Sequence, residues 1–81
     1  MYSIIDLVTE EDGDRVYQDL KLYASFQTKK EALAFAATRE ASVAIYNEYH
    51  RVYHTPALLT TKGCYPLYHL ENGVSVRNAR I

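Results

Sequence analysis

Between Tyr46 and His54 the chain reads Tyr-Asn-Glu-Tyr-His-Arg-Val-Tyr-His, its densest run of side chains able to do chemistry. On a helix, Tyr46, Tyr49 and Tyr53 follow i, i+3, i+7 spacing and share one face. Three tyrosines there offer large, stiff, amphipathic contact area of the kind enriched at protein interfaces. His50 and His54, four apart, have the helical spacing a zinc site uses, with His69 or Cys64 as further ligands. Arg51 stands where the general base of a metalloprotease helix would be, so the two histidines are weak metal candidates. A histidine interacting with a helix C-terminus is the ordinary reading.

The second constellation is electrostatic. Residues 1–19 hold six acids, Asp6, Glu10, Glu11, Asp12, Asp14 and Asp19, against Arg15 alone, a net of −5. The remaining residues carry eight bases against four acids, +4, so the formal charge of −1 conceals a polar molecule. Glu10, Glu11, Asp12 and Asp14 on a hairpin tip could capture a basic partner surface. They lack the alternating ligand positions and distal Glu of a calcium loop. Lys29 and Lys30, with Arg77 and Arg80, form a scattered basic set; with Tyr65 and Tyr68 it could stack and neutralise a single-stranded nucleic acid. Catalysis has less to stand on. There is no Gly-rich phosphate loop and no nucleophile elbow, and Cys64 reads as a small buried residue. No cofactor is called for.

These residues need elements to place them. Residues 2–9 are rich in β-branched side chains and read as a strand, and Asp12-Gly13 is a hairpin dipeptide. From Val16 the apolar residues alternate, with Val16, Leu20 and Leu22 facing the same way as Ile5 and Leu7. A two-residue Asp12-Gly13 turn would set Asp6 opposite Asp19, an unfavourable pair. Either the loop is longer and the register shifts, or the pair holds a cation. Thr28-Lys-Lys-Glu31 is a capping box, and no Gly or Pro follows until Pro56, which predicts one helix over 28–53. A loop over 54–63 and a second hairpin over 64–80, turned by Asn72-Gly73, complete the chain. The expected fold is α+β, β-β-α-β-β, with an antiparallel sheet packed against one long helix in a single domain. Such a helix would be ~38 Å long, beyond the ~30 Å breadth of a compact domain of this size. Its tyrosine-bearing half would project and need a partner, making a homodimer the expectation.

Composition agrees with a folded single domain: 48% apolar, 23% charged, one cysteine, and eight Tyr with no Trp. A disordered tail and a disulfide-stapled miniprotein are excluded, and no stretch approaches the ~20 apolar residues of a membrane helix. A cytoplasmic protein without membrane contact is the simplest reading. The opening Tyr2-Ser-Ile-Ile-Asp6, followed by Tyr23-Ala-Ser-Phe26-Gln-Thr28-Lys-Lys-Glu-Ala-Leu33-Ala-Phe35-Ala, resembles small bacteriophage-encoded accessory proteins that pair a hairpin with such a helix start. The resemblance covers the first ~36 residues; the insertion from Glu10 to Arg15 and the Tyr/His-rich segment depart from it. It implies no catalytic residues. It implies a small phage or mobile-element protein that inhibits a host or defence factor. The expected function is thus a non-enzymatic protein-binding module using Glu10, Glu11, Asp12, Asp14, Tyr46, Tyr49 and Tyr53. A nucleic-acid or nucleotide regulator comes second and a small metal- or His-dependent enzyme third.

Overall fold

The computed structural model describes residues 1–78. Strands β1 (Tyr2–Asp12) and β2 (Arg15–Phe26) form the expected first hairpin, and helix α1 (Lys29–Ala36) follows. Strands β3 (Ser42–Asn47) and β4 (His50–Thr60), then β5 (Gly63–Pro66), β6 (Tyr68–Glu71) and β7 (Val74–Arg77), complete the order. The sheet runs β2-β1-β4-β3 with β5 also paired to β4, and β6 and β7 make a separate two-stranded sheet. The class is α+β, but the fold is mostly antiparallel sheet with one short helix.

The hairpin turn is Gly13-Asp14, one residue beyond the expected pair, so Asp12 faces Arg15. Gly13 takes φ +64°, a conformation that suits glycine at the first turn position. The slip moves Asp6 opposite Lys21 and Asp19 opposite Val8, which removes the like-charge pair. No cation is needed.

The long helix is the main correction. Thr28 caps α1 as expected, its hydroxyl oxygen accepting from the Glu31 N–H at 3.2 Å. Glu31 completes the box by accepting from the Thr28 hydroxyl rather than from its amide. The helix then stops after eight residues. Thr38 donates its hydroxyl to the Phe35 carbonyl, and the Ala37 and Arg39 amides tie back to Leu33 and Ala36. Residues 42–60 are strands because β4 finds ladder partners on both sides, β1 along ten residues and β3 or β5 on the other. Pairing of that extent overrides alanine's helical preference. The reversal between β3 and β4 needs neither Gly nor Pro, since the Asn47 side chain accepts from the Tyr49 N–H at 2.8 Å.

Pro56 therefore lies inside a central strand. It falls where β3 has ended and β5 has not begun, and its carbonyl accepts from the Leu67 N–H at 2.9 Å on that side. The missing N–H points to the same gap and costs no ladder bond. The first arm of the hairpin expected over 64–80 is split at buried Leu67: β5 joins the large sheet, while β6 turns through Asn72-Gly73, both at positive φ, into β7.

The core lies under α1, where Ile4, Ala32, Ala36, Leu58 and Leu67 pack with Phe26, Leu33 and Phe35 at its edge. Cross-strand register puts Ile4, Leu58 and Ala24 on this face and Ile5, Leu7, Leu20 and Leu22 on the other. A bulge opposite Ile4/Ile5 switches β2 between them, so Ala24 and Phe26 reach the helix while Leu20 and Leu22 turn away. Of the stripe expected to be buried, Ile5 is buried and Leu7 half-buried on β1, but its β2 members are open, with Val16 62%, Leu20 51% and Leu22 66% exposed. Ile4→Ala should cost about 2–5 kcal/mol in urea unfolding, because it empties a closed site. Val74→Ala, at an exposed position, should stay within about 0.5 kcal/mol of wild type.

Candidate functional site

Two hairpin tips meet at one end of the molecule. The Gly13 N–H donates to the Tyr49 carbonyl at 2.9 Å, tying the β1–β2 turn to the β3–β4 turn. Glu11, Asp12, Asp14, Tyr46 and Tyr49 thereby share that end, although a helix was expected to carry the tyrosines. Tyr46 and Tyr49 are 65% and 67% exposed. Tyr53 does not join them: it is half-buried on β4, opposite Thr9 and Val43. Arg51 and Arg15 stand directly opposite Glu11 and Asp12, so the acidic end has a basic rim.

Glu10 is engaged internally. Its carboxylate accepts from His50 Nε2 at 2.6 Å, and the Tyr46 ring stacks on that imidazole with centroids 4.9 Å apart. Four residues along the same face, Asp6 Oδ2 accepts from His54 Nδ1 at 2.8 Å. On a strand, residues four apart lie ~13 Å from each other, so His50 and His54 cannot share a metal ion as helical neighbours would. Each instead pairs with its own carboxylate on β1. Among the described residues no group of three or more His, Cys, Asp or Glu is placed to hold a metal.

Asp6 is 6% exposed, and its second oxygen has no hydrogen-bond partner. Tyr23 sits nearby, its phenol pushed above its ordinary 10.0 by burial first and the Asp6 charge second. Arg39 pulls the other way, its guanidinium 4.2 Å from the Tyr23 ring centre and 4.5 Å from that of Phe35. Ser42 lies across the ladder from His54, an Asp–His–Ser order over three strands. No hydrogen bond joins Ser42 to His54, so the arrangement lacks the nucleophile–base contact that acyl-transfer chemistry uses. Sequence reading missed these carboxylate–histidine pairs because they join residues 40 and 48 positions apart.

Lys29 and Lys30 open α1, whereas Arg77 ends β7 beside Leu33 and Tyr68, and Arg80 lies outside the described residues. At the end away from the hairpin tips, a cavity of about 370 Å³ is lined by Tyr2, Lys29, Thr60, Lys62 and Tyr65 among others. Cys64, expected to be buried, is exposed on β5, though local desolvation raises its thiol pKa. No helix among the described residues is long and apolar enough to cross a membrane. Comparison with protein-family models, with curated proteins and with solved structures finds no match to this chain.

His69 is the group with a pH signature. Asn78 uses its side-chain amide on the Pro66 carbonyl, so its oxygen faces His69 Nδ1, while Glu71 approaches Nε2 at 3.2 Å. Asn78 first, then Glu71, hold the imidazolium and raise the His69 pKa above its ordinary 6.5. A pKa raised on folding adds stability below the unfolded value and loses it as pH rises through the folded one. Proton NMR should therefore give a His69 midpoint above 6.5, falling toward 6.5 in Asn78→Ala.

Proposed function

We propose that the chain is a non-enzymatic protein-binding module that grips a partner with its acidic, tyrosine-bearing end. The observation carrying this is the Gly13–Tyr49 hydrogen bond, which makes one surface of two hairpin tips. Exposed Tyr46 and Tyr49 offer amphipathic area at little entropic cost, and Glu11, Asp12 and Asp14 around them select a basic counterpart. The likeness of residues 2–36 to phage accessory proteins supports a role as inhibitor of a host or defence factor in the cytoplasm. Immobilised protein should retain one stoichiometric partner from a bacterial lysate. Tyr46→Ala with Tyr49→Ala should weaken that retention about tenfold or more, as loss of interface anchors does. Neutralising Glu11, Asp12 and Asp14 should slow association and reduce its salt dependence. Retention untouched by both sets of changes would refute the reading.

The cavity at the other end favours a second reading, a nucleotide or nucleic-acid ligand. Lys29 and Lys62 supply positive charge there, and Tyr2 and Tyr65 supply ring faces. A fluorescent oligonucleotide should then bind with an affinity that falls steeply with salt, and Lys29→Ala with Lys62→Ala should abolish it. Binding that ignores both lysines would place the ligand elsewhere.

A further inference from the structure

β2 is the outer strand of the large sheet, and every residue from Arg15 to Tyr23 is exposed. Its backbone groups divide by register. Arg15 flanks a two-residue turn and so bonds to Asp12, which turns the N–H and C=O of Tyr17, Asp19 and Lys21 toward β1. Those of Gln18, Leu20 and Leu22 consequently point outward. The Leu20 N–H shows this directly: it donates to the Asp19 side chain at 2.9 Å instead of to a ladder carbonyl. The other long-sheet edges are less open to pairing. β3 has six residues and a register break between Ile45 and Asn47, and β5 has four.

We infer that the β2 edge pairs antiparallel with the β2 edge of a second copy of this chain, about a two-fold axis through Leu20. An isologous strand pair must centre on one residue, and charge selects which. Centred on Leu20, each Asp19 stands opposite the second copy's Lys21, giving two complementary pairs. Centring on Asp19 or on Lys21 sets like charges face to face. Gln18 as centre puts Lys21 opposite Arg15, and Leu22 as centre runs the pairing into the irregularity at Tyr23. The same register matches the outward N–H and C=O groups of Gln18, Leu20 and Leu22 with each other.

Association exchanges one set of bonds for another. The Leu20 N–H leaves Asp19 for the second copy's Leu20 carbonyl, and the freed Asp19 carboxylate meets Lys21. On the uncovered face, Leu20 packs against its counterpart, with Leu22 diagonal to it, closing much of the stripe that α1 leaves bare. The dimer is a continuous eight-stranded path, and it is independent of what the tyrosine-bearing end binds.

Sedimentation velocity on the full chain tests this. Wild type should pass from monomer to dimer between low and high micromolar concentration. Leu20→Pro removes an N–H that no intramolecular ladder uses, so the fold should persist by circular dichroism while the dimer is lost. Asp19→Lys should also abolish the dimer, and Asp19→Lys with Lys21→Asp should restore it, because the swap keeps both 19–21 pairs complementary in the Leu20-centred register. A wild type that stays monomeric, or a dimer that survives both Leu20→Pro and Asp19→Lys, overturns the proposal. So does a charge swap that keeps the wild-type circular dichroism spectrum yet fails to restore a dimer lost in Asp19→Lys.

Discussion

The structure depends on the pairing of β4 with β1. Ile4 and Leu58 face each other across that ladder under α1, and both are almost wholly buried. With a chain this short the core is small, so one well-covered layer must supply most of the stabilisation that offsets chain entropy. Eight residues of helix cover only the half of the sheet near Ile4 and Leu58. The far half, toward Asp12 and His50, holds itself together by ladder bonds and by carboxylate–imidazole pairs between β1 and β4. An 11-residue strand spans ~36 Å, which explains a molecule 41 Å long and 22 by 18 Å across.

That elongation separates two chemistries. The hairpin tips carry acids and free tyrosines at one end; the start of β1, the opening of α1 and the turn after β4 gather lysines, threonines and tyrosines at the other. The net charge of −1 describes neither end. A field of opposite signs at opposite ends orients partners before contact and makes their approach sensitive to salt. Between the ends, Asp6 is a buried carboxylate with one oxygen satisfied by His54 and the other without a hydrogen-bond partner. Such groups are costly unless charge or hydrogen bonds offset them, and the His54 imidazole supplies part of that offset.

The apolar stripe of β2 has a physical origin in the bulge beside Tyr23. Without it, the alternation that begins at Val16 would run unbroken to Phe26, and Phe26 could not reach α1 while Leu20 and Leu22 faced the opposite side. One extra residue sends the end of the strand into the core and leaves its middle facing outward. The outward face and outward edge coincide on Leu20 and Leu22, the combination that folded proteins usually blunt with charge. Asp19 performs that blunting by occupying the Leu20 N–H.

Features that depend on near neighbours were legible in the chain itself. Thr28 and Glu31 announce the start of α1, Asn72-Gly73 announces a hairpin, and the alternation from Val16 announces a strand, because capping, turn conformation and strand period are set within a few residues. The gathering of acids near Gly13 was legible for the same reason, though the turn register needed the Asp6–Lys21 and Val8–Asp19 pairings to settle it. The segment from Ser42 to Thr60 was not. The absence of Gly and Pro between Thr28 and Thr55 favours a helix locally as far as Tyr53, and what makes the segment strand is β1, some forty residues earlier in the chain. The tyrosines, the histidines and the acids were all visible as residues; which of them share a surface was decided by that long-range ladder, since local preference is worth tenths of a kcal/mol per residue and pairing plus burial is worth more.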